Sequence, residues 1–334
     1  MQSISLAVAG TDTAQGKMFL EKLQDRENIE ISDFYPLEKA PDDYDAVKFR
    51  KKNYIKGRLD DFDFSRVTVA VFFCSSKNAR EPMLKALDAG CKVIDATRGE
   101  RARDDARLII PEINGCDAAD PAYPYLVSPS PAVISAALAI YEIYNEFGIE
   151  YLNITAMEPV SAAGHEGVKE LAGQAAQLLN GRPPVMKNFP AQVAFNVIPS
   201  EVSGDEEQYS DYEMAQIRDI CSFIPGASGR ITFNSYTVSV FYGYSCHLTF
   251  RTSVSVSLPE LKYRLSSGLL NEYAESATVT PVTHGIDRDR QIISRVREST
   301  GAAGEFSMFA VFDNLLAGSV QNCIKILENM TNEW

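Results

Sequence analysis

The sequence predicts two domains of different class: a Rossmann-like α/β domain, followed by an α+β domain on an antiparallel or mixed sheet. Three observations carry this. The chain has 334 residues, the length of two ordinary domains rather than one small module. Up to residue 130, short and nearly continuous apolar runs alternate with helical patterns, as in parallel strands buried on both faces. Beyond that point, long segments alternate apolar and polar residues by twos, the mark of half-buried strands.

Taken in order, residues 4–9 (ISLAVA) form an apolar run that Gly10 ends, and residues 14–23 place Met18, Phe19 and Leu23 at helical spacing. Further strands are expected at 29–34, 67–74, 92–96, 107–111 and 124–128, with a helix over 77–89 that stops at Gly90. In the second half, 230–240 and 245–256 alternate by twos and predict antiparallel strands. Helices are expected at 131–146, 164–180, 211–222 and 258–270, with a last one from Asn314 to Asn329. The acidic stretch 200–211 reads as an exposed loop. The domains expected are 1–130, 131–312, and a closing segment 313–334 that packs back on the first.

Composition narrows the function. Apolar residues make up 45% and charged residues 23%, enough for a packed core. The net charge of −13 repels phosphate backbones and anionic lipid, so neither a nucleic acid nor a membrane is an expected partner. No apolar run reaches a membrane-spanning length and the start reads as a strand, so a cytoplasmic protein is expected. Cys74, Cys91, Cys116, Cys221, Cys246 and Cys323 are scattered without metal-ligand spacing, and buried reduced thiols are the expectation.

The turn after the first strand reads Gly10-Thr11-Asp12-Thr13-Ala14-Gln15-Gly16. In a dinucleotide site the first glycine makes the turn, the second admits the pyrophosphate and the third lets helix and strand pack. Here Thr13 holds the middle position, so its Cβ crowds the closest approach, while the helix amides and dipole still favour an anion. Gly10, Thr11, Thr13 and Gly16 are therefore candidate contacts in a weak cofactor site, or parts of a structural turn.

The stretches VIDATRGERARDDARLIIPEIN (93–114), SAAGHEGVKELAGQAAQLLNG (161–181), FPAQVAFNVIP (189–199), VSVFYGYS (238–245) and FDNLLAG (312–318) follow in an order and spacing that resembles the aspartate-semialdehyde dehydrogenase family over essentially the whole chain. ELAGQAAQLLNGRP and the FYG segment are more similar to the Usg-type paralogues, which often lack parts of the enzyme machinery. The resemblance implies a dinucleotide domain, a dimerisation domain and NADP as coenzyme; with no Cys/His cluster at metal spacing, no metal is expected. Its chemistry is reduction of an acyl phosphate, or the reverse oxidation, through a cysteine thioester with a histidine as acid and base.

Position by position, the resemblance then points to loss. The nucleophile position is Pro131, with no reactive group; Ser130 before it reads as a helix N-cap. The acid/base position is Tyr244. His247 falls on the opposite face of the same strand, His165 opens a helix and His284 lies in a Thr/Gly-rich connection, so none replaces the imidazole. The positions of the substrate-binding Arg, Lys and Gln hold Thr237, Tyr212 and Glu158. The phosphate-binding Arg survives as Arg101. The paired glycines of the second cofactor turn have become Ser161-Ala162-Ala163-Gly164, which leaves Gly164 as a weak contact.

Two functions are open at this point. One is a catalytically inactive family member, a homodimer that binds a protein partner or a small anion near Arg101, with NADP binding weak or absent. The other is a working NADP-dependent semialdehyde dehydrogenase that recruits Ser130 or Cys246, the latter sharing a strand face with Tyr244.

Overall fold

The computed structural model describes residues 3–97, 103–201, 209–275 and 278–332. The chain divides into Met1–Ser130 with Ser319–Trp334, and Pro131–Gly318.

In the first unit, β1 (Ile4–Ala9) turns into α1 (Ala14–Leu23), and β2 (Ile31–Glu38) is followed by the hairpin β3 (Ala46–Phe49) and β4 (Lys52–Ile55). Then come β5 (Gly57–Arg58), β6 (Val69–Phe72), α2 (Ser76–Asp88), β7 (Lys92–Asp95), β8 (Arg107–Leu108), α3 (Pro111–Asn114) and β9 (Tyr125–Val127). The seven-stranded sheet runs β5-β2-β1-β6-β7-β9-β8 with parallel pairings throughout. Leu6, Val8, Val69, Val71, Val93 and Ile94 are fully buried, as a sheet covered on both faces requires. The second strand extends to Glu38 because Phe34, Pro36 and Leu37 are buried on its two faces, beyond the polar Asp33 where the apolar run breaks. The strand expected at 107–111 shrinks to two residues, since Pro111 opens α3 at a favoured first helical position.

The second unit comprises α4 (Pro131–Phe147), β10 (Ile149–Pro159), α5 (Gly164–Leu179), β11 (Val197–Pro199), α6 (Asp211–Phe223), β12 (Ile231–Val238), β13 (Tyr244–Thr252), α7 (Leu258–Ser267), β14 (Glu272–Ala274), α8 (Pro281–His284), β15 (Ile292–Glu298) and β16 (Glu305–Phe312). Its sheet order is β11-β12-β10-β13-β16-β15-β14. The sheet is mixed: β12 runs parallel to β10, correcting the antiparallel reading, because the intervening chain with α5 and α6 returns β12 in the same direction. β13 and β16 are antiparallel to their neighbours. One face buries Ile154, Phe233, Leu248, Phe250 and Met308, with α4 and α6 packed on it. The other face, with Tyr151, Asn153, Thr155, His247 and Thr249, is half exposed. A bulge interrupts β15 between Ser294 and Arg297, where Arg295 takes φ +53°.

After β16 Asp313 Oδ1 accepts the Leu315 and Leu316 amides, both at 2.8 Å, and a wide helical segment, Leu316–Val320, runs into the closing helix α9 (Gln321–Asn332), close to the start expected at Asn314. From Ser319 this segment belongs to the first unit, where Ile324, Ile326 and Leu327 are fully buried. Of the predicted acidic loop at 200–211, residues 202–208 lie outside the described residues.

Candidate functional site

In the first unit the candidate site is the turn after β1. A Cβ on Gly16 would stand 2.1 Å from the Gly10 carbonyl oxygen, and one on Gly10 2.6 Å from the Cys74 amide nitrogen, so both glycines are demanded by packing. Thr13 caps α1: its Oγ1 accepts the Gly16 amide at 3.0 Å and donates to the Gly10 carbonyl at 2.7 Å. This locks a side chain into the place where a glycine would admit a pyrophosphate. The Ala14 and Gln15 amides have no hydrogen-bond partner among the described residues, and at the positive end of α1 they remain available to an anion. The turn thus fits a dinucleotide in part, with two amides offered and the close approach filled.

Glu38 was not singled out in the sequence. It ends β2, and its Oε1 accepts Thr11 Oγ1 at 2.9 Å and the Asp12 amide at 2.7 Å. Its signal was legible, since an acidic residue closing the second strand about twenty residues past a glycine turn is the ribose-binding position of a dinucleotide domain.

In the second unit the candidate positions form a group of their own. Pro131 is the first residue of α4, where its missing N–H costs nothing. A Cβ on Gly318 would meet the Pro131 Cβ at 2.8 Å and the Phe312 ring at 2.7 Å, and that ring meets Tyr244 edge-on at 5.3 Å between centroids. Gly318 thus lies between Pro131 and Phe312, and the Phe312 ring packs on Tyr244, the positions that the resemblance gives to nucleophile and base being Pro131 and Tyr244. Tyr244 is 2% exposed, and its hydroxyl has no hydrogen-bond partner among the described residues. Burial, then the charge of Glu158, pushes its phenol well above the usual range.

Glu158 accepts Ser235 Oγ at 2.8 Å and is the register partner of Thr237 across β10 and β12. Ser235 N donates to Glu213 Oε1 at 2.9 Å, while Glu213 closes a capping box with Ser210 at the start of α6. Tyr212, in the first turn of α6, shares a cleft of about 370 Å³ with Thr237, Phe189, Pro199, Glu201 and Asp211. The structure thus gathers Glu158, Tyr212, Thr237 and Tyr244, with the carboxylates of Glu201 and Asp211 lining the same cleft as Tyr212 and Thr237. Arg101 lies outside the described residues.

The alternative nucleophile and bases fare differently. Cys246 is buried beside Ser135 Oγ at 3.3 Å, and burial pushes its thiol up to about 12. His247 faces the other side of β13, with its pKa lowered by burial and by Arg297 and Arg295. His165 is exposed, and His284 Nδ1 lies 2.6 Å from Thr283 Oγ1. Gly164 takes φ +74° at the start of α5, with open space around its Cα. All six cysteines are free, but only Cys91, Cys246 and Cys323 are buried; Cys74 and Cys221 are half-buried and Cys116, in a short turn of the chain after α3, is exposed, which departs from the buried-thiol reading.

Residues 141–317 match the profile of the semialdehyde dehydrogenase dimerisation domain, and residues 5–120 that of the semialdehyde dehydrogenase NAD-binding domain. The chain belongs to the semialdehyde dehydrogenase family. It is 29% identical to the aspartate-semialdehyde dehydrogenase of Shewanella violacea, over 100% of this chain and 99% of that one. It is 28% identical, with the same coverage, to a USG-1 protein homolog of Pseudomonas aeruginosa. The crystal structure of aspartate semialdehyde dehydrogenase II from Vibrio cholerae superposes with a TM-score of 0.92 at 28% identity, covering 100% of both chains. The semialdehyde dehydrogenase family thus accounts for the two-domain layout. No helix among the described residues is long and apolar enough to cross a membrane, and no group of His, Cys, Asp and Glu among them is arranged to hold a metal.

Proposed function

We propose that this chain is a homodimeric semialdehyde dehydrogenase relative that has given up acyl transfer and works by binding. The observation that carries the reading is the pair of residues Pro131, opening α4, and Tyr244, buried against Phe312. A thioester needs a thiolate, and proline has no group to form one. Its base position holds a phenol raised well above the usual range and so neutral at physiological pH. Cys246 does not substitute, because a buried thiol pushed up to about 12 is protonated and faces Ser135.

The ligand contacts agree. Glu158 and Thr237, adjacent in register, replace groups that would hold an anionic substrate, and Glu201 and Asp211 line the same cleft as Tyr212. The remaining role is to bind a protein partner or a small anion, with Arg101 as the family contact kept in the sequence. Coenzyme affinity is weak because Thr13 fills the turn. The half-exposed sheet face supports a homodimer, since an extended sheet face is stabilised by a covering layer.

The test is NAD(P)H formation from aspartate semialdehyde and phosphate by the full chain. No turnover above buffer is expected, whereas robust turnover overturns the reading. Light scattering at micromolar concentration should return a single species of twice the chain mass; a monomer alone removes the dimer.

A further inference from the structure

We propose that the turn after β1 selects NAD(H) over NADP(H), with Glu38 as the selecting residue. The inference rests on the nucleotide domain of the family and reverses the coenzyme implied by the resemblance. Glu38 ends β2 beside β1, where β2 and β6 flank the strand on opposite sides. The carboxyl edge at such a reversal is where open α/β sheets take their ligands.

The two bonds from Thr11 Oγ1 and the Asp12 amide fix the carboxylate at the lip of the turn through one oxygen. Oε2 receives no hydrogen bond from any described residue. An adenosine ribose with free hydroxyls offers donors to that oxygen. A 2′-phosphate replaces a donor with a dianion and sets it against a fixed negative charge.

The neighbouring cations are mostly committed. Lys56 pairs with Asp12 at 2.8 Å and Asp45 at 3.6 Å, and Lys39 with Asp60 at 2.6 Å. Arg58 is the register partner of Glu38 on β5, is exposed, and makes no ion pair among the described residues. It is the residue placed to rescue a 2′-phosphate, but an exposed, solvent-screened charge offsets a fixed carboxylate only in part.

The experiment titrates full-length wild type, Glu38→Gln, Glu38→Ser and Arg58→Ala with NADH and NADPH at low salt, followed by calorimetry and nicotinamide fluorescence. Wild type is expected to bind NADH about tenfold tighter than NADPH, a discrimination that a single fixed charge can supply. Glu38→Gln keeps an acceptor for Thr11 and Asp12, hence the fold of the turn, and should erase most of the discrimination. Glu38→Ser should favour NADPH through Arg58, and Arg58→Ala should leave NADH binding unchanged. Equal or tighter NADPH binding by wild type overturns the inference, as does an unchanged ratio in both Glu38 variants. If wild type binds neither nucleotide the inference also falls, while the proposal of a chemically silent dimer stands.

Discussion

Replacing Tyr244 by Phe removes one oxygen and leaves the ring against Phe312 in place. The side chain is 2% exposed and its hydroxyl has no partner among the described residues, so the fold bears the desolvation of that group with nothing in return. A buried, unpaired polar group costs about 1–3 kcal/mol. Part of this is recovered in the variant, and Tyr244→Phe should stabilise the protein by about 1 kcal/mol, equivalent to about 2–4 °C in Tm for a unit of this size. Urea unfolding followed by circular dichroism measures it, with the m-value as a check that the denatured state is unchanged. Tyr244→His, which restores the family's base, should instead destabilise by about 1–3 kcal/mol, since it sets a polar ring in a site that offers no partner. A loss of stability of 1 kcal/mol or more (about the value of one made hydrogen bond) in Tyr244→Phe would refute the reasoning. It would mean that the hydroxyl is paired in solution, and with it that this position is a working part of a site.

Restoring chemistry piecemeal should fail: Pro131→Cys/Tyr244→His remains orders of magnitude below a family enzyme in a coupled assay, because orientation of the substrate supplies several kcal/mol of any such barrier. Adding Thr237→Arg and Tyr212→Lys should raise activity above the double variant, and no gain would show that the cleft is not the substrate site. Glu170 is 8% exposed and accepts the amides of Lys187 at 3.0 Å and Asn188 at 2.6 Å, with Asn188 Nδ2 at 2.9 Å. Burial works to raise its pKa, but these donors outweigh it and the carboxyl is lowered. Its stabilisation is therefore complete above the ordinary carboxylate value and lost as pH falls through the lowered one. Glu170→Gln should cost about 1–3 kcal/mol at neutral pH, with the gap to wild type narrowing toward pH 3; a pH-independent gap contradicts the charge-based account. In a thiol titration, Cys116 should react rapidly and Cys246 only on unfolding, and fast loss of Cys246 monitored by peptide mass mapping would revive it as a nucleophile.

The first unit was largely legible because its strands are buried on both faces and read as apolar runs. Where polar residues enter a strand, as at Asp33 and Pro36, the run was cut short and Glu38 missed its place at the edge of the turn. The hairpin Ala46–Phe49 and Lys52–Ile55 was not read either, since its residues are mostly exposed and no apolar pattern marks it. In the second unit the central strand Ile149–Pro159 escaped notice although it alternates, because helix and strand follow each other with only Gly148 between them. Its neighbour Ile231–Val238 showed its period of two, but period alone carries no direction, so the parallel pairing was unreadable. At the site, the identities at positions 131 and 244 were plain from the sequence. That Tyr244 packs on Phe312, that Glu158 stands beside Thr237, and that the Tyr244 hydroxyl has no partner among the described residues are facts of packing that no local pattern encodes.

Helix α9 sets an order on synthesis. Its Ile324, Ile326 and Leu327 fill the interior of the first unit, and Asn322 Nδ2 reaches the Ile109 carbonyl at 3.0 Å and Ser128 Oγ at 2.9 Å. The ribosome makes that helix only after the whole of Pro131–Gly318. The unit that emerges first must therefore wait with an open hydrophobic groove, while the unit that emerges second has all its sequence in one stretch and can close at once. Nascent chains halted before residue 319 should carry a folded second unit beside an unfinished first one.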